Sequence, residues 1–458
     1  MRIIILGAGQ VGATLAQHLA REANDITIVD TDVARLRMLE DRFDLNTVAG
    51  PASHPQVLAQ AGGQDADILI AVTNSDEVNM IACQVAQSLF NIPTKIARVR
   101  EEDYLHRRQA LFNKAAIPVD ALISPEAAVT NALRRLLDYP GTLQVMDFAG
   151  GKVQLVALKA RFGGALVGNR IASLREHLPG IDMRVAAIFR RDQPVVPLGD
   201  TVIEADDEVF FIAARKHIRN VMGELRRLES PYRRVIIAGG GNIGTRLARE
   251  IDQHYRVKVI EKNRDRCESL AQQLGRSVVL HGDASDRELL VEENIEATDV
   301  FIALTNDDEA NVMASMLAKR LGARTVIALI NDPAYVDLVQ GGPIDIAISP
   351  QQSTTSELLA HVRRGDVAAV HSLRRGAAEA LEAVAHGDRF SSRVVGRKIN
   401  ELPLPEGVTV GAIVRGDEVI IAHSDTLIQD DDHVILFVAA NEKLKQVEQL
   451  FQVGIGFL

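Results

Sequence analysis

The chain has 458 residues and a net charge of −10, from 51 Lys and Arg against 61 Asp and Glu. That acidic balance, with aromatics at 4% and no Trp, argues against a general phosphate-backbone binder and against a base-stacking platform. Hydrophobic residues make up 47%, and no apolar run approaches the roughly 18 residues that span a bilayer, so composition predicts a soluble globular protein with large cores.

Length alone suggests about three domains, a count that an internal repeat can overrule. The N-terminus carries only four consecutive strong apolar residues, which predicts a buried strand and not a signal peptide. Cys83 and Cys267 lie far apart without a CxxC spacing, which fits two core thiols in a reducing cytoplasm.

The apolar run Ile3–Leu6 passes into Gly7-Ala8-Gly9-Gln10-Val11-Gly12 and then into a helical pattern with Leu15, Ala16 and Leu19. In a strand–turn–helix of this kind the first glycine permits the tight turn. The second lets the backbone approach a pyrophosphate, and the third lets the helix pack on the strand. The anion then sits at the helix N-terminus, where free N–H groups and the dipole favour it. A second run, Ile26–Val29, ends at Asp30, 18 residues past Gly12. A carboxylate there accepts ribose hydroxyls and repels a 2′-phosphate, so adenosine or NAD is favoured over NADP.

Helical patterns at 33–43 and 55–61 flank a short strand at 46–49, and a buried strand at 67–72 ends in Thr73-Asn74-Ser75-Asp76-Glu77-Val78-Asn79. Strands alternating with helices imply a parallel sheet whose ligands sit at the carboxyl ends of the strands. Thr73 and Asn74 therefore read either as nucleotide contacts or as the cap of the next helix, and both can hold. The strand 95–99 carries Arg98 and Arg100 on one face, placed to meet phosphates or else lying on a solvent-facing edge. A strand at Ala121–Pro125 and a helix from Glu126 to Leu137 follow. That helix leaves the sheet and is a candidate for packing across a partner subunit, or an ordinary core helix.

From Thr142 to about Leu228 the pattern changes to short alternating strands, at 154–159, 184–190 and 208–212, with a closing helix from about His217. Then the first segment returns. Gly239, Gly241 and Gly244 repeat Gly7, Gly9 and Gly12 at an offset of 232 within Gly239-Gly240-Gly241-Asn242-Ile243-Gly244; Glu261 repeats Asp30, and Thr305-Asn306 repeats Thr73-Asn74. The small module repeats as well, with Val395-Gly396 for Val167-Gly168 and Asp431-Asp432-His433-Val434 for Asp206-Asp207-Glu208-Val209. The architecture is thus A-B-A′-B′: two Rossmann-like α/β domains at 1–140 and 232–365, each followed by a small α+β domain, at 141–228 and 366–458.

The copies differ where phosphate chemistry is concerned. Aligned by sequence, Ala328 and Ile330 stand for Arg98 and Arg100, and Asp283 adds a carboxylate where Pro51 stands in the first copy. The second site is expected to hold phosphates less firmly, and to bind a different nucleotide or none.

No phosphate loop, nucleophile elbow or metal-binding spacing is present, and the twelve His residues are scattered. A dehydrogenase needs a substrate domain that presents a general acid or base, and the segments after each lobe are short and poor in such groups. Duplicated binding without an evident reaction centre suggests a sensor. An NAD-dependent oxidoreductase of a small substrate is the competing reading, and a redox-sensing transcriptional regulator lacks a basic helix-turn-helix.

Two GxGxxG lobes, each with a TN-x-DE-x-N loop and each followed by a small domain with Val-Gly and a D-D-x-V strand, resemble tandem RCK (regulator of potassium conductance) domains over essentially the whole chain. The resemblance implies NAD(H), and ATP or ADP, as ligands. It also implies no enzymatic activity, a homo-oligomeric, tetrameric ring, and peripheral attachment at the cytoplasmic face of the inner membrane to a potassium-translocating subunit. By the same likeness the phosphate turn falls on Gly7, Ala8, Gly9, Gln10 and Val11, the ribose acid on Asp30, the loop contacts on Thr73 and Asn74, and the arginine on Arg98. In the second half the matching positions are Gly239–Ile243 and Glu261.

Overall fold

The computed structural model describes residues 1–20, 24–191, 193–339, 342–362, 367–373, 378–439 and 443–452. The expected boundary between 365 and 366 lies outside the described residues. Among the described residues there are four sheets, in two matching pairs.

The first sheet is parallel, in the order β3-β2-β1-β4-β5-β6. Its strands are β1 (Arg2–Leu6), β2 (Asp25–Asp30), β3 (Asn46–Ala49), β4 (Ile68–Ala71), β5 (Thr94–Arg98) and β6 (Ala121–Ile123). The small domain that follows is antiparallel, in the order β10-β9-β11-β8-β7. It comprises β7 (Thr142–Phe148), β8 (Val153–Lys159), β9 (Met183–Arg190), β10 (Gln193–Val195) and β11 (Glu208–Ala214). β7 and β10 are additions to the three strands the sequence pattern predicts.

The second half repeats both topologies. Its parallel sheet holds β12 (Arg234–Ala238), β13 (Arg256–Glu261), β14 (Val278–His281), β15 (Val300–Ala303), β16 (Thr325–Leu329) and β17 (Ile346–Ile348). Its antiparallel sheet holds β18 (Val367–Leu373), β19 (Ala378–Ala385), β20 (Val408–Arg415), β21 (Glu418–Ile421) and β22 (Asp432–Val438).

The two-residue period of a strand divides each parallel sheet into two faces, both apolar because helices cover both. In the first, Ile4, Leu6, Leu69 and Ala71 pack against the helices Pro55–Gln60 and Asp76–Val85. Ile3, Ile5, Ile26, Ile28 and Ile70 face the other way, onto Leu15 and Leu19 of the helix Gln10–Ala20 and onto Leu358, Leu359 and Val362. Those last three belong to the helix Pro350–Val362, which follows the second sheet in sequence.

The exchange is reciprocal. The helix Pro125–Asp138, which follows the first sheet, places Val129, Leu133, Leu136 and Leu137 in one cluster with Val235, Ile237, Leu247 and Ile251 of the second lobe. Each exit helix therefore covers the lobe it did not come from. The sequence left Glu126–Leu137 as a candidate for packing on a partner subunit; its apolar stripe is consumed within the chain.

The small domains meet sheet to sheet. Phe148, Leu155, Phe210 and Ile212 share a core with Ala380, Ala412, Ile435 and Phe437. Partly buried polar contacts link the two sheets: Ala149 N–H donates to Glu382 Oε2 at 2.8 Å, and His371 Nε2 lies 3.1 Å from the Asp147 carbonyl. Cys83 and Cys267 are both buried and free. Among the described residues no helix is long and apolar enough to cross a membrane.

Candidate nucleotide sites at the glycine turns

At the first site four chain segments converge on the carboxyl end of β1, the point where strand order reverses between β1-β2 and β1-β4, and where open α/β sheets bind their ligands. Gly7 adopts φ +107°, a conformation that favours glycine, and a Cβ on it would lie 3.1 Å from the Thr73 backbone. Gly12 is glycine for a different reason: a Cβ there would stand 1.9 Å from the Gly7 carbonyl oxygen. A Cβ on Gly9 would meet nothing within 4 Å, so its backbone faces open space at the start of the helix Gln10–Ala20. Ala8 and Val11 are buried and Gln10 is exposed.

Asp30 is oriented by the turn itself. Its Oδ2 accepts the Ala8 N–H at 2.6 Å and its Oδ1 accepts the Asp32 N–H at 2.9 Å, with the carboxylate still partly exposed. Each oxygen keeps a further lone pair for a ribose hydroxyl.

The Thr73-Asn74 loop is built from within. Asn79 is fully buried; its Oδ1 accepts from the Thr73 backbone N–H at 3.0 Å and the Thr73 hydroxyl at 2.7 Å, while its Nδ2 donates to the Arg98 carbonyl at 2.9 Å. Ser75 caps the helix, its hydroxyl accepting the Val78 N–H at 3.2 Å. The capping reading of this loop thus holds for Ser75, whereas the Thr73 hydroxyl turns to Asn79 and the Ser75 backbone. Asn74 remains exposed, and its carbonyl accepts from Arg100.

Arg98 ends β5, which lies between β4 and β6, so the solvent-facing edge reading falls away. Its side chain is half-buried, and its Nε is buried without a hydrogen-bond partner. Burial, and then the neighbouring Arg100 charge, lower its pKa, opposed by Glu126 and Asp76. Arg100 lies beyond the strand, so the strand period does not govern it. Its backbone N–H donates to Asp76 Oδ2 at 2.8 Å and its side chain is engaged with Asn74. Glu126, at the start of the exit helix, is pushed up by burial and leaves Oε2 unbonded. Sequence reading missed Asp76, Asn79 and Glu126 as parts of the site; the recurrence of Asp76 and Asn79 as Asp308 and Asn311 was the available signal.

The second site reproduces the frame. Gly239 has φ +107°, and a Cβ on Gly244 would stand 2.0 Å from the Gly239 oxygen. Asn311 Oδ1 accepts from Thr305 N–H at 2.9 Å, and its Nδ2 donates to the Leu329 carbonyl at 2.9 Å. Gly241 opens the helix Asn242–Ile251 into free space; Asn242 and Asn306 are exposed and Ile243 is partly buried.

Its chemistry departs from the first site. Since Ala71 pairs with Ala97 and Ala303 with Ala328, the counterpart of Arg98 is Leu329 and that of Arg100 is Asn331, one residue on from the sequence alignment's Ala328 and Ile330. The missing residue between β15 and β16 shifts the offset to 231. No cation replaces the pair, and Asn331 is bound to Asp308. Glu261 accepts the Gly240 N–H at 2.8 Å and the Asn263 N–H at 2.9 Å, the same pair of bonds that orients Asp30, but it is only 8% exposed. Leu270 fills the space beside Gly240: a Cβ there would be 2.3 Å from its Cδ1. Asp283 is not a bare extra carboxylate, because Lys262 Nζ lies 2.9 Å from it.

A cleft of about 2350 Å³ lies elsewhere, between the first small domain, the edge of the second lobe and the second small domain, lined by Arg184, Phe189, Arg324, Thr409 and Phe437 among others. It touches neither glycine turn.

Two Rossmann-like lobes with alternating antiparallel domains define a tandem RCK protein. The TrkA-N domain model matches residues 3–125 and 235–350, and the TrkA-C domain model matches 155–226 and 389–452. The Trk system potassium uptake protein TrkA of Halomonas elongata is 64% identical, and that of Vibrio alginolyticus 61% identical, each over 100% of both chains. The chain belongs to the TrkA family. Among solved structures, the GsuK RCK domain superposes with a TM-score of 0.61 at 18% identity, covering 98% of this chain and 94% of that one, which shows the shared fold.

Proposed function

We propose that this chain is a cytoplasmic, non-enzymatic regulatory subunit that senses nucleotide at the first glycine turn and gates potassium uptake through a membrane-embedded, TrkH/TrkG-like subunit. The ligands are NAD(H) and the adenine nucleotides ATP and ADP. The family relatives carry the name of the Trk potassium uptake system, and a structure of similar fold is described as the GsuK channel bound to NAD. In the working assembly the chain forms a homotetrameric ring attached peripherally to the cytoplasmic face of the inner membrane.

The observation that carries this reading is Arg98. A half-buried guanidinium with an unbonded Nε is costly to keep, and its place beside the reversal of strand order is where a bound phosphate would satisfy it. Gly9 supplies the open approach and Asp30 the ribose acceptor. A ligand gates only if it binds two conformations with different affinity, and the exchanged exit helices provide a route: the Glu126 charge acts on Arg98 while Leu133 and Leu136 of the same helix lie in the second lobe's core.

Calorimetric titration of NADH, NAD⁺, ATP and ADP into the native chain and an Arg98→Leu variant tests the binding step. Saturable binding that weakens about thirtyfold in the variant, with no consumption of NADH, supports the sensor. Substrate-dependent turnover of NADH would establish the oxidoreductase instead, and no binding of any of the four would overturn both. Potassium flux into vesicles holding the membrane subunit, with and without the chain and nucleotide, tests gating.

A further inference from the structure

The two small domains carry the same turn before their last long strand, and they fill it differently. In the first, Asp206 sits at φ +71°, its N–H donating to the Ala160 carbonyl at 2.8 Å; in the second, Asp431 sits at φ +61°, its N–H donating to the Ala385 carbonyl at 2.8 Å. These bonds set Arg161 and His386 at equivalent positions, and Ala205 and Asp430 likewise.

In the first copy the Arg161 guanidinium is ion-paired to Asp206, so a fixed cation occupies the spot. In the second copy that cation is gone. An imidazole stands in its place, Nδ1 3.1 Å from Asp431 Oδ1, and Asp430 brings a second carboxylate, held by the Gly387 N–H at 2.9 Å. One ligand atom each from His386, Asp430 and Asp431 fall within 4.8 Å of one another.

We infer that His386, Asp430 and Asp431 form a binding site for a divalent transition-metal ion of the zinc class, which takes the place that the Arg161 side chain holds in the first copy. Two carboxylates and one imidazole suit a borderline ion better than Mg²⁺ or Ca²⁺, which prefer oxygen alone. Metal–ligand bonds of about 2.0–2.2 Å require the three side chains to draw together from this spacing; both carboxylates are exposed and the imidazole partly so, which leaves water access to the remaining position. A dication here neutralises two carboxylates, as the guanidinium neutralises one.

Titration of Co²⁺ into the nucleotide-free full chain, followed by its visible absorption and then by competition with Zn²⁺, tests the site. One saturable site per chain is expected, displaced by Zn²⁺ and lost in His386→Arg, which rebuilds the first copy's cation. Asp430→Ala removes an exposed carboxylate and its bond to the Gly387 N–H and is expected to weaken binding at least tenfold, so it serves if the arginine variant does not fold. Absence of a saturable band, or binding unchanged within twofold in either folded variant, overturns the assignment.

Discussion

The two nucleotide lobes share one backbone frame and differ in what that frame presents. Both have the positive-φ glycine, the glycine that touches the turn's own carbonyl, and the buried Asn that staples the loop after the fourth strand. Only the first has a guanidinium waiting at the strand end and an acid with solvent access; in the second, Leu329 stands for Arg98, Glu261 is buried, and Leu270 fills the space beside Gly240. The shared features make the fold and the unshared ones make the proposed ligand site. A duplicated binding domain can thus keep its architecture while losing its charge, since none of the frame bonds uses the Arg98 side chain.

The sharpest tests make one copy resemble the other, or strike both alike. Gly12→Ala and Gly244→Ala press a methyl group into the turn carbonyl, and each is expected to destabilise its lobe by about 3 kcal/mol or more, read by urea unfolding. Equal losses would support a common frame; tolerance at either turn would break it. Arg98→Leu is next, with about 2 kcal/mol of nucleotide affinity lost in calorimetry but little loss of thermal stability, because the buried Nε of that side chain has no hydrogen-bond partner among the described residues. The reciprocal Leu329→Arg is expected to leave affinity at the first site within twofold.

Glu357 lies on the second exit helix, where the first copy has Ala132. Burial pushes its carboxyl up to about 7, and Oε2 is unbonded. The folded pKa is raised above the usual 4.5, so the stability tied to its protonated form is present below pH 4.5 and lost as pH rises through 7. Glu357→Ala is therefore expected to stabilise the chain by on the order of 1–2 kcal/mol at pH 8, and much less at pH 4.5, measured by thermal melts across that range.

His371, where the first copy has Met146, gives the opposite slope. Burial pulls its pKa down to about 4 against 6.5, outweighing the bond to the Asp147 carbonyl. A depressed histidine favours the neutral form, so stability is full above pH 6.5 and falls as pH drops toward 4. His371→Met is expected to flatten that fall by about 1 kcal/mol between pH 6.5 and 4.5.

Much of this was written locally. Glycines at 7, 9 and 12 with Asp30 on the next strand specify strand, turn and helix through contacts within one supersecondary unit, and the offset of 232 exposed the second unit. Continuous apolar runs alternating with helical patterns gave the parallel sheets, because both faces of such strands are covered. What covers them was not legible. The stripe of Val129, Leu133, Leu136 and Leu137 says that the helix is buried on one face, but an amphipathic helix carries no address, and only the tertiary structure shows it lying on the other lobe. Side-chain partners were equally hidden, since the unbonded Nε of Arg98, the pairing of Asp283 with Lys262 and the replacement of Arg98 by Leu329 all depend on register. A single missing residue between β15 and β16 moves that register by one, and the sheet, by pairing Ala303 with Ala328, decides where it falls.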